Sequence, residues 1–429
     1  MYFNPRHLIF ETGNRCKLWI DPVFPVCIDA SKTYTITLQP FSGLRKYGLR
    51  DTCRPITEVD EVFFTTEQGL QIEGNALYTY LCFPQVDAYL CKVYLEGKPV
   101  GKFEVYALEA DLFEKTPYVG DNHMHTAFSD GKESPEYMAA AACRKGYDYC
   151  VVTDHRTYAP SLAARDFYAP FDIDFLVIPG EEVHSPDNHV HIISLGAEHG
   201  ITEWWREDET EYRAAVEKEM QNIPTEMTQE DRYMVAASQV IFQKIKEAGG
   251  LSVLCHPHWI LGDVLHQHED VTEYLTEHKQ FDILELLAGG AFDDGVQLQL
   301  SYFKDYPSMP IVGSSDAHDA FVGRMRLCNY TIVFADALNA ASVKEALRTG
   351  YAVSANSRDD FFGAYRLVKY AYFLRRNYLP SHNEKREKLG AWMMRATALG
   401  KAPTAASDEQ KRVLRPSEDF AALRYRGEI

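Results

Sequence analysis

From Pro117 onward, short and almost wholly apolar runs alternate with stretches of helical character, and this alternation constrains the fold more than any other feature of the chain. The runs are YDYCVV, FLVIPG, VHIISL, LSVLCH, DILELL and PIVGSS. Strands that are apolar on both faces must be covered on both faces, so the pattern predicts an α/β fold with a parallel sheet under helices, either a barrel or a doubly wound sheet. The intervening helices carry their own boundaries. In SPEYMAAAACRKG, Ser134 is the N-cap, Pro135 takes the first helical position and Gly146 is the stop, and SQVIFQKIKEAGG is a second helix of the same kind.

Residues 1–115 follow another rule. YTITL, EVFFT, AYLCKVYL and GKFEVYAL are short and rich in β-branched and aromatic residues, and the last two flank the turn EGKP. A small all-β, sandwich-like domain is expected there, with no metal-ligand or catalytic cluster. The α/β domain then occupies 116–355, interrupted at 197–233 by a charged insertion expected to be a lid or a solvated helix. A helical extension and tail follow at 356–429, where the aromatic helix DFFGAYRLVKYAYFLRRNYL should pack on the α/β domain. It also leaves room for a dimer contact.

Composition narrows the partners. A formal charge of -18 opposes binding to a nucleic-acid polymer or an anionic membrane, because phosphate neutralisation needs clustered Lys and Arg. Small anions stay compatible if local cations reverse the sign. The nine cysteines are scattered from Cys16 to Cys328 and never form C-x-x-C, which predicts neither a disulfide framework nor a zinc ribbon. Neither a signal peptide nor a run of membrane-spanning length is recognisable, so a soluble, cytoplasmic protein is expected.

Histidine placement points to chemistry. Four H-x-H pairs occur, at 123/125, 189/191, 256/258 and 266/268, where chance placement of 15 histidines would give about half a pair. At period two, both rings of a pair project from one face of a strand. DNHMHTAFSDG supplies His123, His125 and Asp130, VVTDH supplies Asp154 and His155, and GSSDAH supplies Asp316 and His318. VIPGEEV ends in Glu181 and Glu182, of which at most one should face a common centre. His191 begins a strand and is a better candidate than His189, which reads as a loop residue. LSVLCHPH adds His256 and His258. His184, His199, His266, His268 and His278 read as surface or loop residues. Each box alone has a structural explanation, but six boxes at one end of successive strands favour a metal site, with more ligands than one tetrahedral ion takes.

The boxes H-x-H-T with S-D-G, T-D-H, G-x-E, H-I-I, C-H-P and S-D-A-H, in that order, resemble the motifs of the polymerase and histidinol phosphatase (PHP) superfamily of metal-dependent hydrolases, in the style of its carbaryl-hydrolase-like branch. The resemblance spans about residues 117–355. It implies a distorted (β/α)7 barrel with a trinuclear site holding two or three ions of zinc, manganese or iron. One ion would take His123, His125, Glu182 and Asp316, a second would share Glu182 and add His191 and His256, and a third would take Asp130, His155 and His318.

Such a site suits hydrolysis by a metal-bound hydroxide, with His258 or Asp154 carrying the proton and Arg324 gripping a phosphate. The expected activity is a phosphoesterase acting on a small phosphomonoester or nucleotide. Hydrolysis of carbamate, ester or amide bonds is the alternative enzyme, and a metal-holding regulatory module is the non-catalytic one. Polymerase-associated proofreading would need a longer chain and a basic track.

Overall fold

Alternating strands of the N-terminal part form two sheets, and the apolar-alternating part forms a separate curled sheet; the computed structural model describes residues 3–43, 62–65, 69–289, 294–322, 327–401 and 416–427. Two units result, residues 1–116 with 418–429, and residues 117–417.

In the first unit the strands are β1 (Phe3–Pro5), β2 (Ile9–Glu11), β3 (Arg15–Pro22), β4 (Tyr34–Pro40), β5 (Val62–Thr65), β6 (Gln71–Glu73), β7 (Ala76–Cys82), β8 (Asp87–Leu95) and β9 (Lys98–Leu108). They form sheets of order β1-β3-β7-β6 and β2-β9-β8-β4-β5. Every second residue points inward, so Cys16, Leu18 and Ile20 of one sheet meet Ile36, Leu38, Cys91 and Val93 of the other in one core. The β8–β9 hairpin pairs Leu95 with Lys98, which leaves Glu96 and Gly97 as a two-residue loop at φ 48° and 75°. Lys98 and Pro99, read from sequence as turn residues, already belong to the strand. Residues 418–429 also lie here rather than with the helical extension: Tyr425 N–H donates to Ile9 O, and the Arg424 guanidinium donates to the carbonyls of Phe113 and Glu114 at 3.1 and 2.9 Å.

The second unit contains β10 (Thr116–Asp121), β11 (Tyr149–Val152), β12 (Leu176–Val183), β13 (Ile192–Leu195), β14 (Leu251–Leu254), a small hairpin of β15 (Ile260–Leu261) and β16 (Val264–Leu265), then β17 (Ile283–Leu287), β18 (Ile311–Gly313), β19 (Asn329–Ala335), β20 (Ala352–Asn356) and β21 (Phe361–Phe362). Apart from the hairpin they make one sheet of order β18-β17-β14-β13-β12-β11-β10-β19-β20-β21. It is mixed, not parallel: β13 runs antiparallel to both β12 and β14. The loop 184–191 is too short for the crossover of about a dozen residues or more that a parallel neighbour requires, so the chain turns straight back. Alternation divides each apolar run between two cores. Ile193, Val253 and Ile283 face one, while Ile192, Leu254 and Leu284 face the other.

The sheet curls. Met124, just past β10, forms a parallel bridge with Ala317, just past β18, and His125 N–H donates to Ala317 O at 2.8 Å. Gly313 N–H bonds to Thr331 Oγ1 at 3.0 Å, and a Cβ on Gly313 would stand 2.6 Å from Tyr330 O, so this approach of β18 to β19 needs glycine.

The segment 197–233 is not a solvated helix. It folds into α1 (Thr202–Glu207), α2 (Glu209–Met220) and the start of α3 (Gln229–Glu247), and it buries Trp205, Tyr212, Val216 and Ile223 in the core. Those apolar residues recur at helical spacing beneath an exposed acidic face, which the charge content conceals. After residue 356, α4 (Tyr365–Asn377) stacks Tyr370 on Phe334, and α5 (Leu379–Leu399) brings Arg386 and His382 to Asp148. Gly390 of that helix sits where a Cβ would overlap the Arg144 backbone. Among the described residues, no helix is long and apolar enough to cross a membrane.

Candidate metal centre

The turns that follow β10, β11, β14 and β18, the end of β12 and the start of the reversed β13 all reach one rim. His123 and His125 lie on one side of the extended chain after β10, with their Nε2 atoms 3.0 Å apart. Both nitrogens also face Glu182 Oε2, at 3.2 and 3.3 Å, and Asp316 Oδ1, at 3.3 and 2.9 Å. Beside this quartet, Glu182 Oε1 stands 2.8 Å from His191 Nδ1 and 3.3 Å from His256 Nε2. On the other flank, Asp130 Oδ2 lies 3.4 Å from His155 Nε2 and 3.1 Å from His318 Nε2. The donor atoms of His125, Asp130, His155 and His318 all fall within 4.8 Å of one another, as do those of Glu182, His191 and His256.

Three left-handed non-glycine residues lie at the rim. His256, Asp316 and Arg156 adopt left-handed φ values of 27°, 48° and 56°, which costs about 1–3 kcal/mol each for a residue with a Cβ. Local bonds hold two of these turns: Arg156 N–H donates to Glu182 O at 2.9 Å, and His318 Nδ1 lies 2.8 Å from Asp316 O. The second contact commits Nδ1 of His318 and leaves its Nε2 directed at Asp130.

The donor set fits divalent ions. In a tetrahedral site with bonds of the usual length, ligand atoms lie about 3.3 Å apart, close to the spacings of the His123, His125, Glu182 and Asp316 atoms. His191 Nδ1 is buried without a hydrogen bond even though Glu182 Oε1 is 2.8 Å away, an arrangement that suits two ligands of one ion. Among the described residues, every ion-pair partner of Glu182, Asp316, Asp130 and Glu285 is a histidine. Protonation agrees. Burial disfavours a charged Glu182, but His123, His191 and His155 outweigh it and hold its carboxyl well below the ordinary range. Asp316 is likewise held down, chiefly by His123 against burial, and burial pushes His191 down to about 3. Against burial, the neighbouring carboxylates hold His123, His155 and His256 above the ordinary imidazole value, so an ion bound there would displace protons from them.

The nine residues read as ligands from sequence, His123, His125, Asp130, His155, Glu182, His191, His256, Asp316 and His318, thus lie together. The proton carriers do not. Asp154 is buried and accepts from Thr126 N–H, Thr126 Oγ1 and Ser129 Oγ at 2.8, 2.7 and 2.6 Å, so its carboxylate braces the loop that carries Asp130. His258 packs against Tyr302, with ring centroids 5.3 Å apart, beyond the proline that ends the strand's alternation. Arg324 lies outside the described residues. Glu181, the neighbour that does not face the centre, is buried and accepts the backbone N–H groups of Ile201 and Thr202 at the start of α1.

Three residues near the rim were missed by the sequence reading. His184 Nε2 lies 2.9 Å from His155 Nδ1, and its ring stacks on His191 at 3.8 Å; its place just past the end of β12 was the available signal. Glu285 interrupts the apolar run of β17, and its Oε1 is 3.0 Å from His123 Nδ1. Arg156 follows His155 directly, is exposed, and lies near enough for its charge to reinforce burial in lowering the His184 pKa. Trp259, 37% exposed, walls the site with its ring 5.6 Å from His256 and 5.9 Å from His191.

No protein-family model matches the chain. Over 55 residues it is 44% identical to DNA polymerase/3'-5' exonuclease PolX of Bacillus subtilis, covering 13% of this chain and 10% of that one. Over 86 residues it is 33% identical to phosphoribosyl 1,2-cyclic phosphate 1,2-diphosphodiesterase of Eggerthella lenta, covering 19% and 32%. The chain therefore spans a third or less of the length of these curated relatives. Among solved structures, a two-domain protein of Bacteroides vulgatus containing a predicted PHP-like metal-dependent phosphoesterase is similar over 61% of this chain and 70% of that one, at 17% identity and a TM-score of 0.43. In its ordered motifs and the donor cluster they build, the chain resembles the PHP metal-dependent phosphoesterases.

Proposed function

We propose that the chain is a metal-dependent hydrolase of the PHP type that cleaves a small phosphomonoester or nucleotide. The observation that carries this reading is the quartet of His123, His125, Glu182 and Asp316 donor atoms, which face one another at 2.9–3.3 Å with only histidines as ion-pair partners among the described residues. The Met124–Ala317 bridge, which brings β18 back to β10, supports a distorted (β/α)7 barrel of β10 to β14, β17 and β18.

In this reading three ions are held by His123, His125, Glu182 and Asp316, by Glu182, His191 and His256, and by Asp130, His155 and His318, with His184 bordering the last two. Divalent zinc, manganese or iron there would supply Lewis acidity toward a phosphoryl oxygen and lower the pKa of a bound water. The chain's own groups do the positioning. Asp154 fixes the loop bearing Asp130, and Arg156 offers a guanidinium to orient a phosphate at the mouth. Trp259 gives the remainder of the substrate an aromatic wall. The net charge of -18 favours a small phosphorylated molecule over a nucleic-acid polymer, and the reading places the protein in the cytoplasm.

The test is elemental analysis of protein from metal-replete growth, followed by a panel of phosphate and acyl esters assayed with Mn and Zn. We expect two or three ions per chain and release of phosphate. Fewer than two ions, or no phosphate from any phosphate compound, would overturn the reading, and acyl ester cleavage alone would move it to carbonyl chemistry.

A further inference from the structure

Glu285 is a fully buried carboxylate in the middle of the run Ile283–Leu287. Alternation puts it on the side of Ile283, below the donor cluster. Its two oxygens divide their work. Oε1 lies 3.0 Å from His123 Nδ1, and Oε2 accepts the backbone N–H of His256 at 3.0 Å. A buried carboxylate is tolerated only when such partners compensate for lost water.

The two contacts act on two different groups of the centre. An imidazole that gives its Nδ1–H to a carboxylate presents the lone pair of Nε2, and Nε2 of His123 is the atom facing His125, Glu182 and Asp316. His256 has φ 27°, and this turn aims its Nε2 at Glu182 Oε1, 3.3 Å away. The N–H bond to Glu285 anchors that turn.

We propose, on the reading of the site as a metal centre, that Glu285 is a positioning residue: it fixes the tautomer of His123 and the backbone of His256 together, and so couples the ion held through His123 to the ion held through His256. The competing role is direct ligation. Glu285 Oε1 or Oε2 and Cys255 Sγ lie within 4.8 Å of each other and of ring nitrogens of His123 and His256.

Metal content and affinity separate the two roles without reference to turnover. Zn2+ or Mn2+ is titrated against a chelator into the full chain and into Glu285→Ala, Glu285→Gln and Leu286→Ala, the last removing a buried side chain of the same strand on the opposite face. Glu285→Ala should bind at least one ion about 10- to 100-fold more weakly. Glu285→Gln should recover part of that loss, because its amide oxygen can still accept from His123 Nδ1–H while its NH2 can no longer accept the His256 N–H. Leu286→Ala should lower Tm and leave affinity unchanged, which distinguishes positioning from general destabilisation. The proposal is overturned if Glu285→Ala binds like the parent, or if Glu285→Gln binds as weakly as Glu285→Ala, which would make the carboxylate itself a ligand. Should Glu285→Ala not fold, Glu285→Gln against the parent decides: partial weakening supports positioning, and either no change or complete loss of an ion overturns it. A parent that binds no metal refutes the metal centre first, and this proposal with it.

Discussion

Strand β11 has a buried cluster of ionisable groups at each end, and the two are built on opposite principles. Before the strand, Asp148 forms ion pairs with Arg386 and His382 and accepts Val119 N–H at 2.7 Å. After it, His155 joins the histidines and carboxylates of the rim, where the cationic partners within the described residues are imidazoles alone. The first cluster carries its neutralising cation on its own chain and joins α5 to the sheet. The second gathers electron-pair donors around shared points, the arrangement that the proposed metal centre would use. Burial of charge is common to both; what separates them is that a guanidinium pairs with Asp148, whereas the described ion-pair partners of the rim carboxylates are histidines.

This contrast can be broken. Glu182→Gln, which touches the ligand groups on both sides of it, should lower hydrolysis by about 10^3-fold or more, the several kcal/mol that ion-held chemistry supplies. It should also remove at least one metal equivalent while circular dichroism is unchanged. If the variant keeps its metal, the rim is not what the comparison makes it. Arg386→Ala should cost about 3–5 kcal/mol, because Asp148 is left buried without its guanidinium partner. Denaturant unfolding measures this, and the folded fraction should retain its metal. A matching loss of metal would show that the two clusters are not separate devices.

The acid limb of stability sharpens the same point. Burial alone would raise the Asp148 carboxyl, but Arg386 and His382 hold it below the ordinary value. The folded protein therefore binds this proton less readily than the unfolded chain, and the group's stabilisation is present above the unfolded pKa of about 4 and fades as pH falls below it. Asp148→Asn should be less stable at neutral pH yet lose less on acidification, as read from chelator-treated protein unfolded at a series of pH values. Equal acid slopes would refute the pairing. The smallest effect concerns the mouth: Arg156→Ala should raise KM for a phosphate ester about 10-fold, roughly the worth of one charge-assisted contact, with metal content unaltered. An unchanged KM would leave phosphate orientation to the ions.

Much of the rim was legible because ligand chemistry restricts residue type. Histidines at period two, and Asp or His directly after an apolar run, are readable one strand at a time. Residues whose role depends on a partner far along the chain were not. Glu181 and Glu182 are neighbours of one type, and only the continuation of β12 to Val183 sends one to α1 and the other to the centre. Asp154 stands beside a ligand, yet its carboxylate is taken up by the 126–131 loop. Glu285 is a single charge in a core strand, and only the His123 ring opposite it, far along the chain, gives it a role. The same holds for the fold: the apolar runs and the Ser134–Gly146 helix were plain, whereas the reversal of β13 depended on a loop too short to cross the sheet.

The sequence by itself determined which donor atoms exist, in what order along the chain, and that each follows or precedes a buried strand, because side-chain chemistry and alternation are local properties. Only the tertiary structure decided which donors share a centre. Convergence of His123 with Asp316, or of His155 with Glu182, depends on strand order, direction and curl, which arise from packing between segments far apart in the chain.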